Sequence, residues 1–190
     1  FANRNASALA SSSSLASGAM RAWPWSAELL SAACSAGSAP GPDADGLAAA
    51  AQFLFAARKR GTPGPRIPLE FRPTDIDDAL AIQALVTALV GQPVGGYKCS
   101  VPSGPRPVSL APIFAPTIAH ASPYRVPGID AIARIEPEIA FVMARDLRTR
   151  ATPYSEGEIR DAIKDVRLVL EILGPRYSEP ASVTYPELLA

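Results

Sequence analysis

The chain has 190 residues, with 18 Lys+Arg against 18 Asp+Glu, a formal net charge of zero, and 48% hydrophobic residues. That length allows one ordinary domain, or one domain with an appendage, and a core large enough to fold without disulfides or metals. The neutral balance excludes a globally basic nucleic-acid binder, the apolar content excludes a wholly disordered chain, and the 20 prolines exclude a protein made mostly of long helices.

Residues 1–46 read as a Ser/Ala-rich leader or linker. Half of them are Ala or Ser, and only Arg4, Arg21, Glu28, Asp43 and Asp45 are charged. The Ser11–Ser14 run and the stretch from Ser35 to Pro42 have linker composition. No apolar h-region precedes Cys34, and no run reaches the ~18 apolar residues of a membrane span. Cys34 and Cys99 form no CxxC pair and predict two free thiols in a reducing compartment. The expected location is cytoplasmic.

The globular part begins near residue 47. Asp45 is expected to cap a helix from Gly46 to Arg60, with Leu47, Ala50, Ala51, Leu54 and Ala57 inside and Gly61 as its stop. Arg58, Lys59 and Arg60 suit the negative end of its dipole. Residues 61–73 hold four prolines and predict an extended loop. Thr74, with Asp77 three residues on, predicts the cap of a second helix ended by Gly91 and Pro93. Ile76, Ala79, Leu80, Gln83, Val86 and Val90 trace its inner face.

From residue 94 the period changes to two. Val94–Val101 predicts a strand carrying Tyr97 and Lys98, followed by a proline-rich turn over 102–107. Ala111–His120 is a second extended stretch, and Ala133–Met143 is the clearest strand. Ser155 with Glu158 opens a helix through about Lys164, with Ile159, Ala162, Ile163 and Val166 inside. Val166–Leu173 predicts a buried, central strand. His120 is the only histidine, which excludes a His-based zinc site and leaves it as a loop or core residue.

Alternate residues of a strand share a face. Glu136 and Glu138 therefore lie on one side of their strand, followed by Ala140 and Val142. Ile135, Pro137, Ile139, Phe141 and Met143 lie on the other, which is fully apolar and is expected to be core. Two neighbouring carboxylates repel unless a positive charge separates them, and a hard divalent cation would serve. Glu171 is a third acid amid aliphatic residues, and burying it calls for a cation, a proton or a salt bridge to Arg167. From the pattern alone, two exposed acids and a Glu171–Arg167 pair compete with a three-Glu metal site.

The order of Gly95-Gly96-Tyr97-Lys98, the Pro112-Ile113 to Thr117 stretch, Ile135-Glu136-Pro137-Glu138-Ile139-Ala140-Phe141 and Val169-Leu170-Glu171-Ile172-Leu173 resembles the hydratase/decarboxylase branch of the fumarylacetoacetate hydrolase superfamily. The helix segment Asp78-Ala79-Leu80-Ala81-Ile82-Gln83 is similar to a weaker family signature. The resemblance runs from about Leu47 to the end. It implies an α+β fold: N-terminal helices, then a mixed β-sheet or roll, incomplete at its C-terminus because the family continues further. Residues 47–190 thus read as a partial catalytic domain.

The resemblance also implies roles. Glu136, Glu138 and Glu171 match three ligands to Mg²⁺ or Mn²⁺, and Lys98 matches an active-site lysine. The implied substrate is a small 2-oxo or 2-hydroxydienoic acid, and the implied reaction is hydration of the 2-keto-4-pentenoate type in aromatic catabolism. The implied partner is a further copy of the chain, with neither nucleic acid nor membrane. Decarboxylation of the 4-oxalocrotonate type and acylpyruvate C–C hydrolysis are the enzymatic alternatives. A non-catalytic, truncated homologue is the alternative of another class. Pro116 departs from the pattern, since many relatives carry an acid there, and the leader has no family counterpart.

Overall fold

The structure is a computed structural model that describes residues 41–100, 109–126 and 134–190. The expected turn over 102–107, the leader up to residue 40 and Cys34 lie outside these residues. The described chain is α+β. Its helices are α1 (Ala44–Arg60), α2 (Ile76–Val90), α3 (Glu156–Asp161) and α4 (Tyr185–Leu189). Its strands are β1 (Val94–Cys99), β2 (Leu110–Phe114), β3 (Arg134–Met143) and β4 (Ile163–Leu173). Among the described residues the strands form two separate antiparallel pairs, β1–β2 and β3–β4, rather than the expected mixed sheet. The chain divides into two compact units: the described residues up to Pro116 together with Pro175–Ala190, and those of Thr117–Gly174.

In the first unit the two long helices carry the core. Asp43, two residues before the expected cap, accepts from the Gly46 amide at 2.9 Å and starts α1. Asp75, not Thr74, caps α2 by accepting from the Asp78 amide at 2.9 Å. Thr74 instead gives its amide and hydroxyl to the Asp78 carboxylate. With two acids and a threonine in four residues, spacing alone leaves the cap ambiguous by one position. Gly61 and Gly91 end the helices at φ 69° and 63°, the left-handed conformation that glycine adopts without a Cβ penalty.

Ala50, Ala51 and Leu54 of α1 meet Ala79 and Ile82 of α2 in one buried cluster with Ile67, Tyr177 and Ala190. The small alanines on facing helices let the backbones approach closely, and Ile67 and Ile82 fill the remaining space. Ile82 was not among the expected inner-face residues of α2. The loop after α1 is not wholly extended: Leu69–Phe71 forms a 3₁₀ turn, and Gly64 makes a parallel bridge to Tyr177.

This bridge ties the C-terminal segment into the unit. Thr184 and Glu187 form a capping box that starts α4. Glu187 is fully buried, and Arg66 grips both of its oxygens. The Arg72 Nε lies 3.5 Å away, and Thr184 adds its amide and hydroxyl. Burial raises the carboxyl's proton affinity, but Arg66 and Thr184 more than offset it, so the group ionises below the usual carboxylate range. The Gln83 amide donates to the Leu189 carbonyl at 3.0 Å, linking α2 to α4.

In the second unit β3 and β4 form a long ribbon with ten paired positions and a bulge between Val142 and Met143. The Ser155 capping box appears as expected, but α3 ends at Asp161 and β4 starts at Ile163, three residues before the expected strand. Of the expected inner face of that helix only Ala162 is buried; Ile159 and Val166 are exposed. The alternation along β3 is as read, but its apolar face is not core. Ile135, Ile139, Phe141 and Met143 are exposed, as are Val166, Leu168 and Leu170 of β4. A six-residue helix spans only about 9 Å, against ~33 Å for a ten-residue strand, so α3 is too short to form a covering layer. Nor is β4 central, since it pairs with β3 alone among the described residues.

Candidate metal centre

The ladder of the ribbon decides where the acids go. Partners directly opposite in an antiparallel pair point to the same face. Glu136 pairs with Glu171, Glu138 with Val169, Ala140 with Arg167 and Val142 with Asp165. The three glutamates thus share one end of one face, and the apolar residues take the other face. Pro137 sits between Glu136 and Glu138 and turns its ring to the apolar side.

One carboxylate oxygen from each of Glu136, Glu138 and Glu171 lies within 4.8 Å of the other two. Glu171 is only 3% exposed, while Glu136 and Glu138 are half-buried. A Glu–Glu pair directly across a ladder is destabilising without a counter-charge. Arg134 comes within 3.7 Å of Glu136 from a largely exposed position. The donor set suits a hard cation. An octahedral ion with ~2.1 Å oxygen contacts sets neighbouring ligand oxygens about 3 Å apart and opposite ones about 4 Å apart, a contraction that small side-chain rotations can supply. Oxygen-only donors favour Mg²⁺ or Mn²⁺ over Zn²⁺.

Arg167, the ion-pair partner expected for Glu171, bonds to another acid. The Arg167 Nε donates to Asp165 at 2.7 Å, two residues away on the same face, and holds that carboxyl below its ordinary range. Arg167 opposes Ala140 in the ladder, four residues from Glu171 along β4.

Lys98 is half-buried on β1 in the other unit, opposite Ala111 of β2. The alternating burial along β1 sets Val94, Gly96 and Lys98 on its more covered side and Tyr97 and Cys99 on its exposed side. Cys99 is a free thiol whose ionisation burial pushes up, so it is not an activated nucleophile. Pro116 is exposed in the 3₁₀ turn after β2 and supplies no acid there. His120 is an exposed loop residue. The basic triplet ends α1 as expected: Arg58 stacks 4.7 Å from the Phe114 ring centre and Lys59 lies 5.6 Å from that of Phe55.

Sequence reasoning missed the Arg66–Glu187–Arg72 cluster. Thr184 and Glu187 carry the capping-box spacing, which was the available local signal. The Arg66 partner lies 121 residues away and has no local signature. No described helix is long and apolar enough to cross a membrane. No family model matches the chain, and neither the curated proteins nor the solved structures contain a match.

Proposed function

We propose that the chain is a divalent-metal-dependent lyase that hydrates 2-hydroxydienoic acids of the 2-keto-4-pentenoate type, built on a fumarylacetoacetate hydrolase-like roll. The observation that carries this reading is the convergence of Glu136, Glu138 and Glu171 within 4.8 Å from two different strands. Its second support is the resemblance in sequence order that links these acids to Lys98. Bound there, Mg²⁺ or Mn²⁺ would supply Lewis-acid stabilisation for negative charge on the enol oxygen of a 2-oxo acid. The chain's own residues divide the remaining work. The ladder holds Glu136 and Glu171 in register, and burial keeps Glu171 away from competing water. Lys98 is assigned to proton handling or to orienting the substrate's carboxylate, both within the reach of an ammonium group.

Titration with Mn²⁺, followed by the loss of its free-ion paramagnetic resonance signal, tests the ligand set. We expect saturable one-site binding that weakens at least about tenfold in Glu138→Gln, the lower end of the effect of altering metal-site residues. Absence of binding by the wild-type chain, or equal binding by the variant, would sink the assignment. Incubation with a dienoate, an oxalocrotonate and an acylpyruvate in separate vessels identifies the reaction from its product: the hydrated acid, carbon dioxide or a cleaved acid. A Lys98→Met variant should retain the metal and lose turnover.

A further inference from the structure

The face of the β1–β2 hairpin that carries Lys98 holds a glycine that neither packing nor backbone geometry requires. Lys98 lies opposite Ala111, and Gly96, two residues back on the same face, lies opposite Ile113. The bulge of β1 falls between Val94 and Gly96, so Gly96 itself is in register. A Cβ placed on Gly96 would meet nothing within 4 Å, and its backbone is not in the left-handed conformation of Gly61 and Gly91. A strand glycine needed neither for a close approach nor for a positive φ forgoes roughly 0.5–1 kcal/mol of stability. Gly96 and Ala111 are both half-buried, and together they leave a clearing beside the base of the Lys98 side chain.

On the other side of Lys98 the same face continues into two hydroxyls. The Ser100 amide donates to the Ser109 carbonyl at 3.0 Å, which keeps the ladder register past the strand ends. Ser100 and Ser109 therefore lie opposite each other on the Lys98 face. Ser100 Oγ accepts from the Ser109 amide and from the Ser109 hydroxyl, both at 2.9 Å. One bond between two hydroxyls uses one of their two protons. The other proton has no acceptor among the described residues, and the bonds its oxygen receives polarise it. We propose that Lys98 and the Ser100–Ser109 hydroxyl pair hold the carboxylate of the substrate, with Gly96 and Ala111 leaving room for its carbon chain. Two residues of strand span about 7 Å, a gap that one carboxylate fills by accepting a bond of ~2.8 Å from each side. Ammonium and hydroxyl both donate here, so the pair selects an anion over a neutral alcohol of the same shape. This rests on the reading of Lys98 as an active-site group, and it narrows the task of that group to holding the carboxylate.

Protection of Lys98 from acetylation, read by peptide mass spectrometry, tests this without any turnover. The probe is sorbate, a dienoic carboxylate that lacks the 2-oxygen, and sorbyl alcohol is its neutral counterpart. Sorbate should protect Lys98 saturably, and sorbyl alcohol at the same concentration should not. Replacing both serines, Ser100→Ala with Ser109→Ala, should raise the sorbate concentration for half-protection about tenfold or more, the loss expected for a hydrogen bond to a charged group. Gly96→Val should have a similar effect by filling the clearing. Urea unfolding should find Gly96→Val no less stable than wild type, because valine suits a strand better than glycine. Equal protection by acid and alcohol, no protection, or half-protection unchanged in either variant overturns the proposal. So does a destabilised Gly96→Val, since that glycine would then serve packing. Mn²⁺ titration of the same samples separates this inference from the metal site. Protection by sorbate with no Mn²⁺ bound keeps the carboxylate site and sinks the metal site, and Mn²⁺ binding without protection does the reverse.

Discussion

Ile82 and Leu168 are both aliphatic residues on regular elements, yet the first is fully buried and the second 83% exposed. In the helical unit, α1 and α2 cover each other's small and apolar side chains, and the C-terminal segment closes over them. In the ribbon unit, the same kind of alternating pattern leaves most of its apolar row exposed, with Ile172 at one end buried, and buries a glutamate on the other face. Periodicity fixes which residues share a face; it does not supply the second layer that makes a face into a core. The two buried carboxylates differ in the same way. Glu187 is matched by arginines from a distant loop, whereas the ladder partner of Glu171 is another glutamate. A carboxylate gripped by arginines stabilises the fold, and carboxylates gathered side by side can hold a cation.

The largest effect that separates the two units is a pair of truncations. Ile82→Ala removes a fully buried side chain and should cost about 3 kcal/mol, within the usual span for such cavities. Leu168→Ala, at an 83% exposed position, should stay within about 0.5 kcal/mol. Urea unfolding of both variants checks this. Similar losses at the two positions would mean that Leu168 is covered in the isolated chain, and the contrast would fail.

Next in size is the ion cluster. Glu187→Gln leaves Arg66 and Arg72 facing a neutral amide and should cost about 2 kcal/mol, below the fully buried range because both arginines keep some solvent contact. The sign of its pH dependence follows from the direction of the shift. Glu187 ionises lower in the folded chain than in the unfolded one, so its contribution is present above the unfolded carboxyl range and fades as pH falls through the folded value. The variant's deficit should therefore be full at neutral pH and shrink in acid. A deficit independent of pH would show that packing, not charge, is what Glu187 supplies.

Much of this was legible in the sequence, and the failures share a cause. The helix ends at Gly61 and Gly91, the Ser155 box and the grouping of Glu136 with Glu138 all depend on residues a few positions apart. The pairing of Glu171 with Glu136 needs the strand register, which alternation narrows to a face and which the bulge near Val142 helps to set. The core role wrongly expected for Ile139 and Leu168, the Arg66–Glu187 pair and the place of Ile82 depend on partners distant in sequence or absent, so no local pattern carries them. At the caps the error was one or two residues, because Asp43 and Asp45, or Thr74 and Asp75, are near-equivalent acceptors and only the backbone turn chooses.

The smallest effect sharpens the comparison from the ribbon's side, where local interactions replace a core. Both Glu158 oxygens receive the Arg150 guanidinium at 2.7 Å, and Ser155 adds its amide and hydroxyl. Arg150 also lies over the Tyr154 ring, 3.6 Å from its centre. These contacts lower the Glu158 carboxyl to about 2, with Arg150 the leading cause and Ser155 second. A lowered folded value means that the contribution is complete above the unfolded carboxyl range and disappears as pH approaches 2. Side-chain carbon NMR should therefore show Glu158 ionised through pH 3, and Arg150→Gln should move its titration back toward the ordinary glutamate range. The pair is exposed, so salt should weaken it, whereas the buried Glu187 cluster should respond much less. Equal salt sensitivity at the two sites would remove the distinction between a carboxylate held by a core and one held at the surface.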